Sequence, residues 1–268
     1  MKLGGNSYSW ILDSGGAGRG AWQGGVIHQF LQWIRKHQCF PVTTMGASAG
    51  GYAAADVAAS TEATVMKGWT HWGKDKNLMP GTGSVHERRS EGFGNFRHHL
   101  RTSIRFVMGK NEIGRIFDSQ PEQKLLIFTS RVRRRDGRVL RSRDLWRYFF
   151  KSITRKLPRP LKYVPSLYRE EPVIFVHPLP SSLASEYVRP LTRENYHRVI
   201  EASCLVPIAM GLPLLPDQIN CDVGKGSHRA DQSDDAAVFM DGSFALKIPL
   251  AVFAEESRFL PLAQCASG

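Results

Sequence analysis

The sequence has no long apolar run. No segment reaches the roughly 18 consecutive apolar residues that a membrane-spanning helix needs. The first residues, Met1 to Asn6, lack the apolar stretch of a secretory signal. We therefore expect a cytoplasmic protein whose contact with a membrane, if it has one, is peripheral.

Cysteine is scarce as well. The sequence has four cysteines, with no Cys-x-x-Cys pair among them: Cys39, Cys204, Cys221 and Cys265. This scatter favours reduced thiols and argues against a disulfide framework or a zinc site. No cluster of histidine, cysteine and aspartate has the spacing of metal ligands, so we expect no metal and no other cofactor.

Positive charge is abundant but unevenly distributed. The 268 residues carry a net charge of +12. Residues 84–162 contain 21 Lys and Arg against 7 Asp and Glu, a net +14, which leaves −2 for the remainder. Such a segment suggests an anionic partner, either lipid headgroups or nucleic acid. The arginines near 131–135 have no interleaved aromatic residues and belong to no recognised nucleic-acid module, so we expect no nucleic acid.

Strand and helix patterns alternate along the first third of the chain. Residues 7–12 predict a strand, the glycine-rich residues that follow predict a loop, and the spacing of Val26 to Ile34 predicts a helix. A second strand over 40–45 and an alanine-rich helix over 52–59 come next. Alternation of this kind predicts a parallel sheet with helices on its faces.

The rest of the chain gives less regular signals. Residues 61–76 and 95–116 predict helices, the second of them basic and amphipathic, and 192–203 predicts a helix with Thr192 as its N-cap. Strands are expected over 124–129, 172–176 and 237–240. An Asp-Gly turn at residues 136–137 predicts a hairpin whose return strand begins at Val139. We expect one domain over 1–268, with a basic insertion or lid-like region at about 84–162.

A Gly-x-Ser-x-Gly sequence lies between the second strand and its helix, which is the pattern of a nucleophile elbow. The turn is tight, so the neighbours of Ser48 must be small, as Gly46, Ala47, Ala49 and Gly50 are. Ser48 is then expected at a helix N-terminus, where unpaired N–H groups stabilise an oxyanion. The alternative is a small-residue turn that only packs a helix on a sheet.

The glycine-rich segment before the first helix has three interpretations. It is no P-loop, because no Gly-Lys-Ser/Thr follows, and as a dinucleotide fingerprint it lacks an acidic residue at the end of the next strand. The third interpretation is a nest of backbone N–H groups beside the nucleophile, which uses both glycine clusters. Its candidate oxyanion residues are Gly15, Gly16, Ala17, Gly18, Arg19 and Gly20.

These motifs resemble those of the patatin-like phospholipases. The segment from Ser14 to Gly20 is similar to that family's Gly-Gly-Gly-x-Arg-Gly oxyanion loop, with Ala17 in place of a glycine. The elbow follows at the interval that the family shows. Residues 202–207 match its Ala-Ser-x-x-x-Pro signature, and Asp241-Gly242-Ser243 is similar to its Asp-Gly-Gly or Asp-Gly-Ala motif.

Residue order bears on the mechanism. An α/β-hydrolase triad runs Ser, acid, His, but the last histidine, His228, precedes Asp241, so a triad would need something like Asp222 with His228. The resemblance implies instead a dyad of Ser48 and Asp241. A carboxylate with an unperturbed pKa of about 3.9 is a weak base for a hydroxyl, so the oxyanion donors must contribute heavily.

The resemblance further implies a three-layer α/β/α fold with a mostly parallel central sheet. It implies a serine acyl hydrolase that cleaves lipid esters, of phospholipids or acylglycerols, with the basic region holding it on an anionic membrane. One alternative is a lipid acyltransferase on the same site. Another is a basic, catalytically weak protein that binds membranes or nucleic acid.

Overall fold

A computed structural model gives the fold. It describes residues 9–12, 16–37, 43–59, 66–68, 70, 96–118, 124–141, 143–148, 168–179, 184–185, 187–207, 210–219 and 237–242. The predictions for Gly15, for 77–94, for 149–162, and for Asp222 and His228 lie outside these residues, as does most of the helix expected over 61–76.

Six described strands form one sheet. They are β1 (Ser9–Leu12), β2 (Thr43–Ala47), β3 (Lys124–Arg134), β4 (Tyr168–His177), β5 (Val188–Pro190) and β6 (Val238–Asp241). The order is β1-β2-β3-β4-β5, and β6 pairs with β3. The pairs β1–β2, β2–β3 and β4–β5 are parallel, whereas β3–β4 and β3–β6 are antiparallel. The predicted α/β class with a mostly parallel sheet is confirmed.

Six labelled helices accompany the sheet: α1 (Gly16–His37), α2 (Ala49–Ala59), α3 (Phe96–Val107), α4 (Lys110–Asp118), α5 (Tyr196–Cys204) and α6 (Pro216–Ile219). Residues 143–148 are also helical. No helix in the described part of the chain is both long and apolar enough to cross a membrane.

The two faces of the sheet have separate cores, because side chains alternate along a strand. Leu125 and Ile127 of β3 pack with buried residues of α1 to α5 in the larger cluster. Their neighbours Leu126 and Phe128 belong to a second cluster with residues of β2, β4 and β5. Further along, a third cluster joins Val132 to the helical residues 143–148 and to β6.

The central strand β3 places the ends of two other strands together. Residues Lys124 to Phe128 pair with β2, which runs parallel to β3 and ends at Ala47. The next residues, Thr129 to Val132, pair with β6, which is antiparallel to β3 and ends at Asp241. Because β2 and β6 lie on one edge of β3 and run towards each other, their carboxyl ends meet between Phe128 and Thr129.

Several sequence predictions are wrong. Residues 137–141 form no strand, since β3 continues to Arg134 and pairs with β4 and β6 instead. The helix expected over 95–116 is two helices, separated at Met108 and Gly109. Helix α5 begins at Tyr196 with Asn195 as its N-cap residue. In the turn before it, the Thr192 N–H donates to the Asn195 side-chain oxygen and the Asn195 N–H donates to the Thr192 hydroxyl oxygen.

Much of the arginine in the basic region is paired. The buried carboxylate of Glu201 accepts ion pairs from Arg97, Arg101 and Arg198. Glu171 likewise binds the fully buried Arg131 together with Arg133 and Arg169. Arg97 and Arg101 belong to the arginine stripe of α3 that was expected to face a membrane. Both are ion-paired with a buried carboxylate instead.

Candidate active site

Ser48 lies at the sharp turn from β2 into α2. Its φ angle is +56°, a left-handed conformation that non-glycine residues rarely adopt. Strain of this kind, about 1–2 kcal/mol, is often found at functional sites. Its carbonyl oxygen accepts the N–H groups of Gly51 and Tyr52, which starts the helix. The predicted order of strand, turn and helix is confirmed. Ser48 is only partly buried.

The small neighbours of Ser48 are required by close backbone packing. A Cβ on Gly46 would lie 2.2 Å from the Gly50 carbonyl oxygen and 2.7 Å from the Gly51 nitrogen. Those atoms belong to the first turn of α2, so a side chain at Gly46 would push the helix off the strand. Ala47 and Gly50 are buried and Ala49 is partly buried, as the tight turn predicts.

Asp241 lies opposite Ser48. The Ser48 hydroxyl donates a hydrogen bond to Asp241 Oδ2 over 2.6 Å, although 193 residues separate them. Asp241 is buried at the end of β6, where its backbone N–H donates to the Leu205 carbonyl oxygen and its own carbonyl oxygen accepts the Ser130 hydroxyl. The backbone around the carboxylate is therefore fixed from two sides.

A short segment at the end of α5 connects both halves of this pair. The Ser203 hydroxyl accepts the Ser48 backbone N–H at 3.0 Å and donates to the Phe128 carbonyl oxygen at 2.7 Å. The Ser203 carbonyl oxygen accepts the N–H of Gly242, the residue after the aspartate. Ser203 therefore holds the nucleophile turn, the central strand and the start of the Asp-Gly turn in one position.

Cys204 adds a further contact to the same turn. Its thiol donates to the Ser48 carbonyl oxygen at 3.0 Å. Burial, and next the negative charges of Asp241 and Glu201, hold the pKa of the Cys204 thiol well above its ordinary value. The thiol therefore stays protonated at neutral pH, which keeps it a hydrogen-bond donor.

The glycine-rich segment is not the loop that the sequence predicts. Residues Gly16 to Gly20 form the first turns of α1, so the prediction of a loop there is wrong. The glycine count favoured a loop, but the helix continues back from Ile27, Leu31 and Ile34, which are buried on the sheet. Burial of such a face outweighs the roughly 1 kcal/mol that each helical glycine costs.

The start of α1 follows the carboxyl end of β1, which is the same end of the sheet as Ser48, so its first backbone N–H groups lie at that end. Leu12, at the end of β1, pairs with Gly46, two residues before Ser48. In a helix that begins at Gly16, the amides of the first turn have no intrahelical acceptor, whereas Gly20 N–H bonds within the helix. Gly16, Ala17 and Gly18 therefore stay candidate oxyanion donors, and Gly20 does not.

The elbow supplies another donor. The Ser48 N–H already donates a hydrogen bond to the Ser203 hydroxyl. The next backbone N–H along the chain is that of Ala49, the first residue of α2. The amide after the nucleophile is the usual elbow contribution to an oxyanion hole. Sequence reasoning named Ser48, Asp241 and Ala49, but it assigned no role to Ser203, Ser130 or the Phe128 carbonyl. Only the Ala-Ser-x-x-x-Pro signature pointed towards one of these three.

The described residues contain no group of three or more histidine, cysteine, aspartate and glutamate side chains placed to hold a metal ion. What the site offers chemically is a hydroxyl, an adjacent carboxylate and the positive ends of two helices, α1 and α2.

The chain matches no protein-family model, no curated protein and no solved structure.

Proposed function

We propose that this chain is a serine acyl hydrolase of the patatin-like kind, with Ser48 as the nucleophile and Asp241 as the base. The observation that carries the proposal is the 2.6 Å hydrogen bond from the Ser48 hydroxyl to the Asp241 carboxylate. The left-handed turn at Ser48 supports it, since a strained, partly exposed serine between strand and helix is the geometry of a nucleophile elbow.

In the first half of the reaction, the Ser48 hydroxyl oxygen attacks an ester carbonyl carbon while Asp241 takes its proton. The negative charge that develops on the carbonyl oxygen is stabilised by the Ala49 amide and the first-turn amides of α1. Collapse of this intermediate breaks the ester bond, and the proton on Asp241 passes to the departing alcohol. The acyl group stays on Ser48 as an ester.

In the second half, Asp241 accepts a proton from an incoming water molecule, which attacks the acyl carbon. The same amides stabilise the second oxyanion, and the acid is released as Ser48 regains its proton from Asp241. Each donor of this kind is worth about 10²–10³ in rate, so the two helix starts offset the weakness of a lone carboxylate base.

The proposed substrates are lipid esters, of phospholipids or acylglycerols, and the proposed architecture is a three-layer α/β/α sandwich. Both rest on the motif resemblance. The Ser203 bridge adds support, because two residues of the Ala-Ser-x-x-x-Pro signature contact the proposed dyad: the Ser203 hydroxyl accepts the Ser48 N–H, and the Leu205 carbonyl oxygen accepts the Asp241 N–H.

A fluorophosphonate probe tests the nucleophile. We expect it to label the native chain at Ser48 and to leave the Ser48→Ala variant unlabelled. Asp241→Asn should lower turnover of a lipid ester by about 10²–10⁴ without changing the unfolding temperature. Asp118→Asn, an exposed carboxylate on α4, is the control and should retain full turnover.

Labelling at a different serine, or full turnover in Asp241→Asn, contradicts the dyad. Product analysis with a lysolipid acceptor present then separates the two enzyme classes. Free fatty acid supports the hydrolase, whereas acyl transfer to the lysolipid supports the acyltransferase on the same site.

A further inference from the structure

Helix α1 has an apolar face that the described core covers only in part. Val26, Phe30 and Trp33 are 41%, 45% and 44% exposed, and they follow the i, i+4, i+7 spacing of one helix face. The buried residues Ile27, Leu31 and Ile34 occupy the adjacent face, about 100° around the helix axis, towards the sheet. Exposed aromatic residues in a continuous group generally mark a site of interaction.

Aromatic contacts make this face continuous. The ring of Trp10, on β1, lies 4.9 Å from Phe30, Phe30 lies 5.8 Å from Trp33, and Trp33 lies 4.8 Å from His37. We call Val26, Phe30 and Trp33, with these two flanking rings, the aromatic row. The rings brace one another, so the row is a pre-formed surface and needs little ordering to bind.

Helix α1 carries charge of one sign only. Helix α1 contains no aspartate or glutamate, and its last turn carries Arg35, Lys36 and His37. Lys36 lies three residues after Trp33, so it continues the same face beyond the end of the row. Arg35 and Lys36 are both exposed. A helix with exposed Trp and Phe on one side and flanking cations has the composition of an interfacial helix.

We propose that the aromatic row is a docking surface for an anionic phospholipid membrane, with Phe30 and Trp33 inserted at the headgroup level and Lys36 over an anionic headgroup. The proposal rests on the proposed function for its choice of a lipid surface. It places the membrane contact on α1, rather than on the basic region at 84–162, where arginines such as Arg97 and Arg131 are held by buried carboxylates.

The position of the row suits this role. Its first residue, Val26, lies about 15 Å along the helix axis from the first turn of α1, where the candidate oxyanion amides lie. One rigid helix therefore connects the docking surface to the site. Docking through the row would therefore hold the site at a fixed distance from the membrane without any rearrangement.

The test measures binding to vesicles of diether phospholipids, which have no ester bond and cannot be consumed. The full-length chain is mixed with diether phosphatidylcholine vesicles, with or without diether phosphatidylglycerol, and the bound fraction is measured by sedimentation. We expect strong binding only with phosphatidylglycerol. Trp33→Gln and Phe30→Gln should each weaken binding by about tenfold, as expected when about 60 Å² of buried apolar area is lost.

Trp146→Gln is the matched control. Trp146 is 46% exposed and also lies on a helical segment, but within the basic region. Its substitution should change binding by less than about twofold. Lys36→Glu should weaken binding to the phosphatidylglycerol vesicles while leaving the unfolding temperature unchanged, which keeps the proposal testable if an aromatic variant fails to fold.

Native binding in Trp33→Gln and Phe30→Gln overturns the proposal, as does an equal loss in Trp146→Gln. A dimer in solution that Trp33→Gln dissociates, with no vesicle binding by the native chain, identifies the row as an interface between copies and also overturns it. Because diether lipids measure docking alone, failed probe labelling at Ser48 would remove the enzyme proposal and leave this one standing.

Discussion

Replacing Ser203 by alanine tests whether the bridge at the end of α5 positions the nucleophile. The substitution removes two hydrogen bonds, the one from Ser48 N–H and the one to the Phe128 carbonyl oxygen. At about 1 kcal/mol for each bond, the free energy of unfolding should fall by about 2 kcal/mol. For a chain of this size, that lowers the unfolding temperature by roughly 4–8 °C.

Activity should fall as well, for a separate reason. The left-handed turn at Ser48 costs about 1–2 kcal/mol and is held in part by the bond to Ser203. Without that bond, about 1 kcal/mol less holds the conformation needed for attack, which corresponds to a roughly fivefold lower kcat. KM should stay unchanged, because Ser203 lies behind the turn, bonded to backbone atoms.

Ser103→Ala is the matched control. Ser103 is fully buried, as Ser203 is, and its hydroxyl bonds to the side-chain hydroxyl of Tyr52, in the first turn of α2. This control should lose about 1 kcal/mol of stability and none of its kcat. Steady-state kinetics on a soluble short-chain nitrophenyl ester, together with thermal unfolding, gives both quantities. Equal kcat losses in the two variants, or native kcat in Ser203→Ala, refute the positioning role.

Two further predictions concern α2 and the strand beneath it. Asp56 is fully buried, neither carboxyl oxygen has a hydrogen-bond partner, and burial raises its pKa well above the ordinary 3.8. Above about pH 4 the unfolded chain releases the Asp56 proton, whereas the folded state keeps it. The free energy of unfolding should therefore fall as the pH rises from about 4 to the raised pKa of Asp56 in the folded state. Thermal unfolding from pH 4 to 8 should show Asp56→Asn gaining stability relative to the native chain, and parallel profiles would contradict this. Gly46→Ala should cost about 3 kcal/mol or more and abolish activity, because its Cβ meets the Gly50 backbone at 2.2 Å. Gly25→Ala on α1 is the control, because an added Cβ there would have no atom within 4 Å. Chemical denaturation should show that it stabilises the protein by about 0.5–1 kcal/mol. A similar loss of stability in Gly46→Ala and Gly25→Ala would rule out the packing explanation.

The local part of the site could be predicted because its requirements lie in adjacent residues. A β-branched run, four small residues around Ser48 and an alanine-rich helix former suffice to predict strand, turn and helix. The Asp-Gly pair at Asp241 likewise marks the end of a strand. Each of these signals is read within about ten residues, and the structure confirms each of them.

Local signals misled where a distant partner competed with them. The Asp-Gly turn at 136–137 predicts a hairpin, and a turn does form there, with Gly137 at a positive φ. No return strand follows, because the edges of β3 are already paired with β4 and β6. The arginines of α3 looked like a surface stripe, but Arg97 and Arg101 find a carboxylate on α5, about 100 residues later.

The sequence by itself determined the α/β class and the strand–turn–helix unit at Ser48, and it pointed to Ser48 and Asp241 as the two side chains of the proposed dyad. Only the tertiary structure decided that the two side chains meet. The meeting depends on β3, which pairs one edge with β2 over its first residues and with β6 over the next. Those pairings are made by backbone N–H and C=O groups, which every residue type carries, so no residue pattern in the chain encodes which strand ends are brought face to face.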